Sequence, residues 1–370
     1  MTTFGSPLLN QHETLGATFT DFAGWRMPLR YGSELAEHHA VRNAAGLFDL
    51  SHMGEIAITG PGSGALLDHA LVGQLSKIGI GRAKYSLLCN EAGGVIDDLV
   101  VYRLADEDYL IVANAANAAI VNHELSLRAA GFSAAVTDRS TEIALIAVQG
   151  PAAQAIVQAL VPAELEQSVA GLKYYAVTGS SVAGIDVLLA RTGYTGEDGF
   201  ELYVPNDQSV PLWRALLAES EKHSGVPAGL ACRDSLRLEA GMALYGHELS
   251  RDINPYEAGL GKVVKLTKPF VGRDALEELS QLPAERMLVG LRGNGRRAAR
   301  AGYTVHDRAG ADAVGTVTSG VLSPTLGYAI ALAYVNADLA APGTELTVDL
   351  RGRREPFVVT PAPFYRRSGT

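Results

Sequence analysis

Ile56-Ala57-Ile58-Thr59-Gly60-Pro61 returns 90 residues later as Ile146-Ala147-Val148-Gln149-Gly150-Pro151. In each copy an apolar segment typical of a strand ends at Gly-Pro, and an amphipathic stretch follows, residues 62–71 and 152–160. Proline is tolerated near the first turn of a helix, because the N–H that it lacks has no partner there. Both places are therefore predicted to hold a strand, a break and a helix.

The segments that follow also match, in the same order. The first copy is predicted to continue with strands 85–90, 95–104 and 109–113 and helix 118–130. The second copy is predicted to continue with strands 174–180, 185–191 and 200–204 and helix 210–222. One shared element could arise by chance, but four in register indicate two α+β lobes of one β-α-β-β-type unit, each with helices on one face of its sheet.

A third region begins after a helix end and linker at residues 278–285. Short apolar segments then alternate with Gly- and Pro-rich turns, at residues 288–291, 315–319, 330–335, 345–350 and 356–360. This spacing is typical of a small all-β barrel or roll.

Composition limits the class of protein. A chain of 370 residues with 47% hydrophobic and 19% charged residues has globular composition and is long enough for more than one domain. It contains no uncharged apolar run of about 18 residues, so no membrane span is predicted. Residues 1–11 lack the basic start and apolar core of a signal peptide, and only two distant cysteines occur. These features predict a cytoplasmic protein.

Charge is unevenly distributed. The whole chain carries −9, which argues against nucleic-acid binding, but residues 285–370 hold eleven arginines and seven acidic residues, a balance of +4. This basic portion could meet an acidic partner or an anionic ligand tail, or it could simply solvate a β domain.

Two adjacent carboxylates follow a turn inside the first repeat. The composition of Asn90-Glu91-Ala92-Gly93-Gly94 is typical of a turn. Asp97 and Asp98 come just inside the strand that follows it. Successive side chains in a strand point to opposite faces, so the two aspartates cannot share a proton. One of them is expected to be a lone carboxylate on an apolar surface, suited to bind or move a proton near neutral pH.

Two further motifs bear charges that could act on a ligand. Glu201 follows a glycine-rich loop and sits in a strand with apolar neighbours, where it could accept N–H donors from a heterocycle or point outward from a surface hairpin. Arg233 and Arg237 share a helix face. Arg233 lies near the helix start, unfavourably for the helix dipole, and so could clamp a carboxylate or pair with a neighbouring acid.

The sequence lacks the motifs of metal sites, nucleotide-binding loops and nucleophilic hydrolases. His38, His39 and His52 are not at a metal spacing, so no metal site is predicted. No Gly-rich nucleotide loop and no nucleophile elbow occurs, and Cys89 in its alternating strand is expected to be a buried thiol.

Six motifs in register resemble the glycine cleavage T-protein family, which are aminomethyltransferases. They are Phe22-Ala23-Gly24-Trp25 with Met27-Pro28, residues 46–53, residues 91–98, residues 193–201, residues 233–241, and residues 315–320 with Ser323-Pro324. The resemblance implies a three-domain cloverleaf with a central tetrahydrofolate channel. It divides the chain into residues 1–54 with 140–255, residues 55–139 with 256–280, and a barrel domain at 281–370.

The resemblance also implies a reaction, a partner and a site. An aminomethyl group held on the lipoyl arm of the H protein is transferred to tetrahydrofolate, with release of ammonia. Asp98 matches the catalytic aspartate, Glu201 the acid that binds the pteridine ring, and Arg233 an arginine on the tail side of the folate. Met53, Tyr85 and Tyr194 match residues that line the folate channel, whereas Tyr365 and Arg366 match the end of the family only loosely.

Two related classes are less well matched. Folate-dependent demethylases and the folate domains of sarcosine- or dimethylglycine-oxidising flavoproteins share the implied fold, but this chain has no flavin-binding half. A non-catalytic folate-binding relative linked to iron–sulfur assembly carries Lys-Gly-Cys-Tyr-x-Gly-Gln-Glu, and residues 233–241 read differently.

Overall fold

The computed structural model describes residues 4–308 and 312–367. Within it the chain forms two compact units. The first comprises the chain up to Ser86 together with Asp98–Arg233, and the second comprises Leu87–Asp97 and the chain from Asp234 onward. The division into three domains stays a prediction.

The two repeats and their flanking segments contain most of the strands and helices. The strands are β1 Phe4–Gly5, β2 Thr18–Phe22, β3 Trp25–Arg30, β4 Gly46–Asp49, β5 Gly54–Thr59, β6 Arg82–Cys89, β7 Val95–Ala105, β8 Asp108–Ala113, β9 Ala135–Asp138, β10 Ile143–Gln149, β11 Val177–Val182, β12 Ile185–Ala190, β13 Gly199–Pro205 and β14 Val226–Pro227. The helices are α1 Leu9–Thr14, α2 Glu34–Asn43, α3 Ser63–Ala70, α4 Ala118–Arg128, α5 Ala153–Gln158, α6 Glu166–Gly171, α7 Ser209–Lys222 and α8 Leu230–Glu239. None of the described helices combines the length and the apolar character needed to cross a membrane.

Sheet topology confirms the repeat. One sheet has the order β6-β7-β8-β5-β9 and the other the order β11-β12-β13-β10-β4-β14. The first four strands of each list correspond one to one, with β5 and β10 as the strands that end at Gly-Pro. The predicted helices match α3, α4, α5 and α7, with ends that differ by a residue or two.

Successive side chains of β13 point alternately to a face that packs in the core and to a polar face. Phe200, Leu202 and Val204 are buried in a cluster that includes Trp213 and Leu216 of α7. Each large apolar side chain buried there contributes about 1.5–3 kcal/mol. Because side chains alternate, Glu201 and the other residues of odd number on this strand point to the face away from the helices.

One strand begins later than predicted. The sequence predicted a strand from residue 174, but β11 begins at Val177. Tyr175 has φ of +58°, a left-handed conformation that interrupts extended backbone. The chain therefore turns at this tyrosine before the strand starts.

The turn before the acid pair depends on its glycines in two ways. Gly93 has φ of +85°, as its turn chemistry predicted. Gly94 has no such φ, but a Cβ there would lie 1.8 Å from the backbone oxygen of Arg251. The second glycine is therefore required by close packing of two backbone segments within the second unit.

The second unit contains the predicted barrel. Its further elements are α9 Arg273–Gln281, β15 Arg286–Gly293, β16 Thr304–His306, β17 Ala313–Leu322, β18 Ala329–Asn336, β19 Glu345–Asp349 and β20 Arg354–Thr360. Six strands close in the order β15-β18-β17-β16-β19-β20 around apolar side chains such as Leu291, Val305 and Phe357. The all-β prediction is confirmed, and the short β16 is the strand that the sequence did not reveal.

Candidate active site

Asp98 lies on β7 with hydrogen-bond donors on both carboxylate oxygens. Tyr85 Oη donates to Oδ2 over 3.1 Å, and Asn114 Nδ2 donates to Oδ1 over 2.8 Å. These donors come from β6 and from the residue after β8, the two strands that flank β7. An ionised carboxylate is an acceptor at each oxygen, which this arrangement satisfies.

The expectation of a lone carboxylate on an apolar surface is wrong, because the neighbouring strands supply polar groups. The expected separation of the pair is confirmed. Asp97 is 0% exposed, whereas Asp98 is partly exposed on the opposite face of the strand.

Tyr85 is a neutral donor to this carboxylate. Burial, followed by the charge of Asp98, raises the pKa of Tyr85 well above its ordinary value. Tyr194 also lies within its electrostatic surroundings. The sequence-predicted residues Tyr85, Asp98 and Tyr194 are thus brought together.

Glu201 lies on the polar face of β13 between two small residues. Its partners across the sheet are Ala147 on β10 and Ala190 on β12, which leave space beside the carboxylate. Thr192 Oγ1 donates to Glu201 Oε2 over 2.5 Å. Burial raises the pKa of Glu201, while the Thr192 hydrogen bond and the charge of Arg233 oppose that rise.

Arg233 belongs to the same group. Its guanidinium carbon lies 4.8 Å from the centroid of the Tyr194 ring, a cation–π contact. Its Nη1 is buried and has no hydrogen-bond partner in the structure. Burial lowers the pKa of Arg233. An orphaned N–H donor beside an aromatic ring suits an acceptor from a ligand.

Arg237 has a different environment, although it lies one turn further along α8. It is 1% exposed and pairs with Asp234 at 2.8 Å and with Glu248 at 2.9 Å. Of the two interpretations open for these arginines, pairing with neighbouring acids holds for Arg237.

His52 is buried against Arg233. Burial, followed by the charge of Arg233, lowers the pKa of His52 to about 4, so the ring is neutral at neutral pH. Its Nδ1 is buried and forms no hydrogen bond with any of the residues that the structure describes. The next residue, Met53, is half-buried in the turn between β4 and β5, where its N–H donates to the Leu50 carbonyl over 2.9 Å.

The glycine-rich loop before Glu201 is shaped around Gln149. Gln149 Nε2 donates to the Thr192 carbonyl over 3.0 Å, and Thr195 Oγ1 donates to Gln149 Oε1 over 2.9 Å. A Cβ on Gly193 or Gly199 would lie within 2.0–2.2 Å of this side chain. The loop glycines therefore make room for a buried glutamine that the sequence did not single out.

Tyr175 connects the two carboxylates electrostatically. Burial raises its pKa, and the charges of Glu201 and Asp98 raise it further. Both carboxylates therefore lie close to this phenol. However, Asp98 is on β7, whose counterpart in the second repeat is β12, whereas Glu201 is on β13. The two acids therefore lie on strands that do not correspond in the two repeats.

Sequence reasoning missed several residues of this group. Tyr102 shares a face with Asp98, four residues along the strand, and its Oη lies 3.0 Å from Thr192 Oγ1. The two-residue period of a strand could have identified it. No comparable signal marks Asn114, His52 or Tyr175, which reach the site through sheet register, burial and a left-handed turn.

Groups of three or more His, Cys, Asp or Glu side chains able to hold a metal ion do not occur in residues 4–308 and 312–367. Cys89 is a buried thiol, as predicted.

Comparison with known proteins assigns both parts of the chain. Residues 8–268 match the model of the GCVT N-terminal domain, and residues 286–366 match that of the glycine cleavage T-protein C-terminal barrel domain. An aminomethyltransferase of Saccharopolyspora erythraea is 56% identical over 365 residues, which cover 98% of each chain. An aminomethyltransferase of Cutibacterium acnes is 57% identical over 369 residues, again 98% of each chain.

A solved structure agrees. The crystal structure of the glycine cleavage system aminomethyltransferase T from Bartonella henselae superposes with a TM-score of 0.89 at 38% identity, covering 98% of both chains. The fold, the two domain matches and the relatives agree along nearly the whole length. The chain therefore belongs to the glycine cleavage T-protein family, the aminomethyltransferases of the glycine cleavage system.

Proposed function

We propose that this aminomethyltransferase moves the aminomethyl carbon from the dihydrolipoyl arm of the H protein to tetrahydrofolate. The products are 5,10-methylenetetrahydrofolate, ammonia and dihydrolipoyl H protein. The observation that carries the proposal is Asp98, an acceptor held at both oxygens, whose charge raises the pKa of Tyr175 together with burial and the charge of Glu201. The reaction takes place in the cytoplasm.

Asp98 is the catalytic residue. As the bond between carbon and the amine breaks, ammonia leaves and positive charge develops at the methylene carbon, where a fixed carboxylate stabilises it. The two folate nitrogens bond to this carbon while its bond to the lipoyl sulfur breaks, which releases the dihydrolipoyl arm. The same carboxylate orients the attacking folate amine. Tyr85 and Asn114 prevent the carboxylate from rotating, so it is already oriented before the reaction begins.

The folate is held by five side chains, those of Glu201, Arg233, Tyr194, Tyr85 and Met53. Glu201 Oε2 already accepts a hydrogen bond from Thr192, so Oε1 is the oxygen that takes the N–H donors of the pteridine edge. The orphaned Nη1 of Arg233 takes an acceptor on the tail side. The tyrosines and Met53 provide aromatic and apolar contacts to the rings.

The direct test is an assay with aminomethylated H protein as substrate. Ammonia and methylenetetrahydrofolate should form in equal amounts when tetrahydrofolate is present. Folate that binds without any release of ammonia would instead identify a folate-binding protein without this activity.

A further inference from the structure

A chain of hydroxyl groups runs through the interior of the first unit to Glu201. Tyr203 Oη donates to Tyr102 Oη over 3.2 Å, Tyr102 Oη lies 3.0 Å from Thr192 Oγ1, and Thr192 donates to Glu201 Oε2 over 2.5 Å. The three hydroxyl residues are no more than 4% exposed. The two tyrosine rings pack edge to face with centroids 5.8 Å apart. The chain is therefore a fixed part of the core.

The proton arrangement in this chain has a preferred direction. Each hydroxyl can donate once, and donation toward Glu201 ends on a carboxylate oxygen that needs no proton of its own. A protonated Glu201 weakens the chain wherever the proton sits. With the proton on Oε1, the Thr192 hydroxyl donates to a neutral oxygen instead of a carboxylate, which is a weaker hydrogen bond. With the proton on Oε2, Glu201 must donate to Thr192, and the reversed chain leaves the Tyr203 hydroxyl without an acceptor among the described residues. The chain therefore favours the charged form of Glu201.

The chain also selects one oxygen of the carboxylate. Tyr102 Oη lies 3.5 Å from Glu201 Oε2, the same oxygen that Thr192 bonds. Within the part of the chain that the structure describes, Oε1 accepts no hydrogen bond. One oxygen is thus held by the protein and the other is left for a ligand.

We propose that Tyr102 and Tyr203 are positioning residues that act through Thr192, and in the case of Tyr102 also through its own 3.5 Å contact, to fix Oε2 of Glu201 and keep its carboxylate charged. This inference rests on the proposed function in one respect, since that function supplies the pteridine donors that Oε1 accepts. Neither tyrosine needs to touch the folate.

Electrostatics is consistent with such a role. Burial raises the pKa of Glu201, and the hydrogen bonds of Thr192 and Tyr102 together with the charge of Arg233 oppose the rise. Of the other titratable groups nearby, Tyr175 and the tyrosines of the chain have raised pKa values and stay neutral. Removing a hydroxyl should therefore shift the balance toward protonated Glu201.

The test is the titration midpoint of Glu201 in ligand-free protein labelled with carbon-13 at glutamate carboxyls. The Glu201 resonance is the one that Glu201→Gln removes. Thr192→Val should raise the midpoint most, Tyr102→Phe by about one pH unit, and Tyr203→Phe least, in the order of the chain. A general packing defect would produce no such order.

Tyr109→Phe is the matched control, because Tyr109 is a buried tyrosine on β8 that is 1% exposed and takes no part in the hydroxyl chain. It should leave the midpoint unchanged. An unchanged midpoint in Tyr102→Phe, or a shift equal to that of Tyr109→Phe, overturns the inference.

The second readout is the affinity for tetrahydrofolate, measured by calorimetry between pH 5.5 and 8.5. If only charged Glu201 binds, affinity is lost as pH falls through its pKa, and Tyr102→Phe should move this loss to higher pH. A shifted midpoint without a matching shift in affinity supports the hydroxyl chain and contradicts the folate role of Glu201. The two failures are therefore distinguishable.

Discussion

Asp98 and Glu201 are both carboxylates in strands, but their hydrogen bonds suit them to different tasks. Asp98 has a donor on each oxygen and is partly exposed. Glu201 accepts hydrogen bonds from the described residues at Oε2 only. The first is fixed in direction, as a group that stabilises a developing charge must be. The second keeps an acceptor for a ligand.

Asp98→Asn should reduce turnover by about 10²-fold or more while folate binding persists, because the substitution removes the charge but keeps the shape. Steady-state ammonia release gives kcat, and calorimetry gives the folate affinity.

Asp97→Asn is the comparison, since it removes a carboxylate from the adjacent residue on the opposite face. Asp97 is completely buried, so thermal stability is measured in parallel and kcat is taken from folded protein only. A greater loss of kcat in Asp97→Asn than in Asp98→Asn would show that the wrong aspartate has been assigned.

Glu201→Gln should weaken folate binding more than it slows the bound complex. Loss of a charge-assisted hydrogen bond costs about 1.5–3 kcal/mol, roughly 10- to 150-fold in affinity. Glu55→Gln is a matched control, because Glu55 is also buried in the first unit. Neither of its carboxylate oxygens forms a hydrogen bond with a described residue, and burial raises its pKa well above the ordinary value. Equal folate affinities for the two variants would remove Glu201 from the binding site.

At the scale of elements, strand periodicity predicted that Asp97 and Asp98 lie on opposite faces. For Glu201 the sequence left two alternatives open, an acceptor for a heterocycle or a side chain pointing outward from a surface hairpin. The donors to Asp98 could not be predicted, because Tyr85 and Asn114 meet it through the register of three strands. Gln149 could not be predicted as a site residue either, because a single glutamine at the end of a strand forms no sequence motif.

The turn before the acid pair gives a stability prediction. In Gly94→Ala the new Cβ would lie 1.8 Å from the Arg251 carbonyl oxygen, so one backbone segment must move. The cost should be about 1–3 kcal/mol in the free energy of unfolding, as for other overpacked sites. Gly179→Ala on β11, where nothing lies within 4 Å, should be nearly neutral. The measurement is urea unfolding of both variants. Equal urea midpoints for Gly94→Ala and Gly179→Ala would contradict the packing explanation.

For the whole molecule, the internal repeat and the all-β character of the last region were visible in the sequence. Both depend on short-range patterns repeated many times, which single exceptions do not erase. The left-handed turn at Tyr175 and the short strand β16 were not visible, since each depends on a few residues. The six motifs identified the family, and the domain matches confirm it.

The basic barrel surface gives a prediction about the partner. We propose that exposed arginines of the barrel steer the H protein toward this enzyme, and that the H protein is the acidic partner that the basic charge of this region predicts. Arg296 is exposed and forms no ion pair within the described ranges, whereas Arg297 lies 3.6 Å from Glu355. Arg296→Glu should raise the apparent KM for aminomethylated H protein and leave folate affinity unchanged.

Salt provides the check on this prediction. Screening over about 8–10 Å near physiological ionic strength should shrink the penalty as salt rises. Arg214→Glu on α7 makes the same charge change on an exposed residue of the first unit and is the control. A KM equal to that of the parent at every salt concentration would mean that Arg296 only solvates the barrel.

The most direct measurement is a crystal structure of this protein with bound tetrahydrofolate. The account predicts that the pteridine N–H groups donate to Oε1 of Glu201, that Asp98 lies beside the reduced ring, and that the folate tail lies on the side of Arg233. A folate bound elsewhere, or a pteridine ring that makes no hydrogen bond to Glu201, would contradict it.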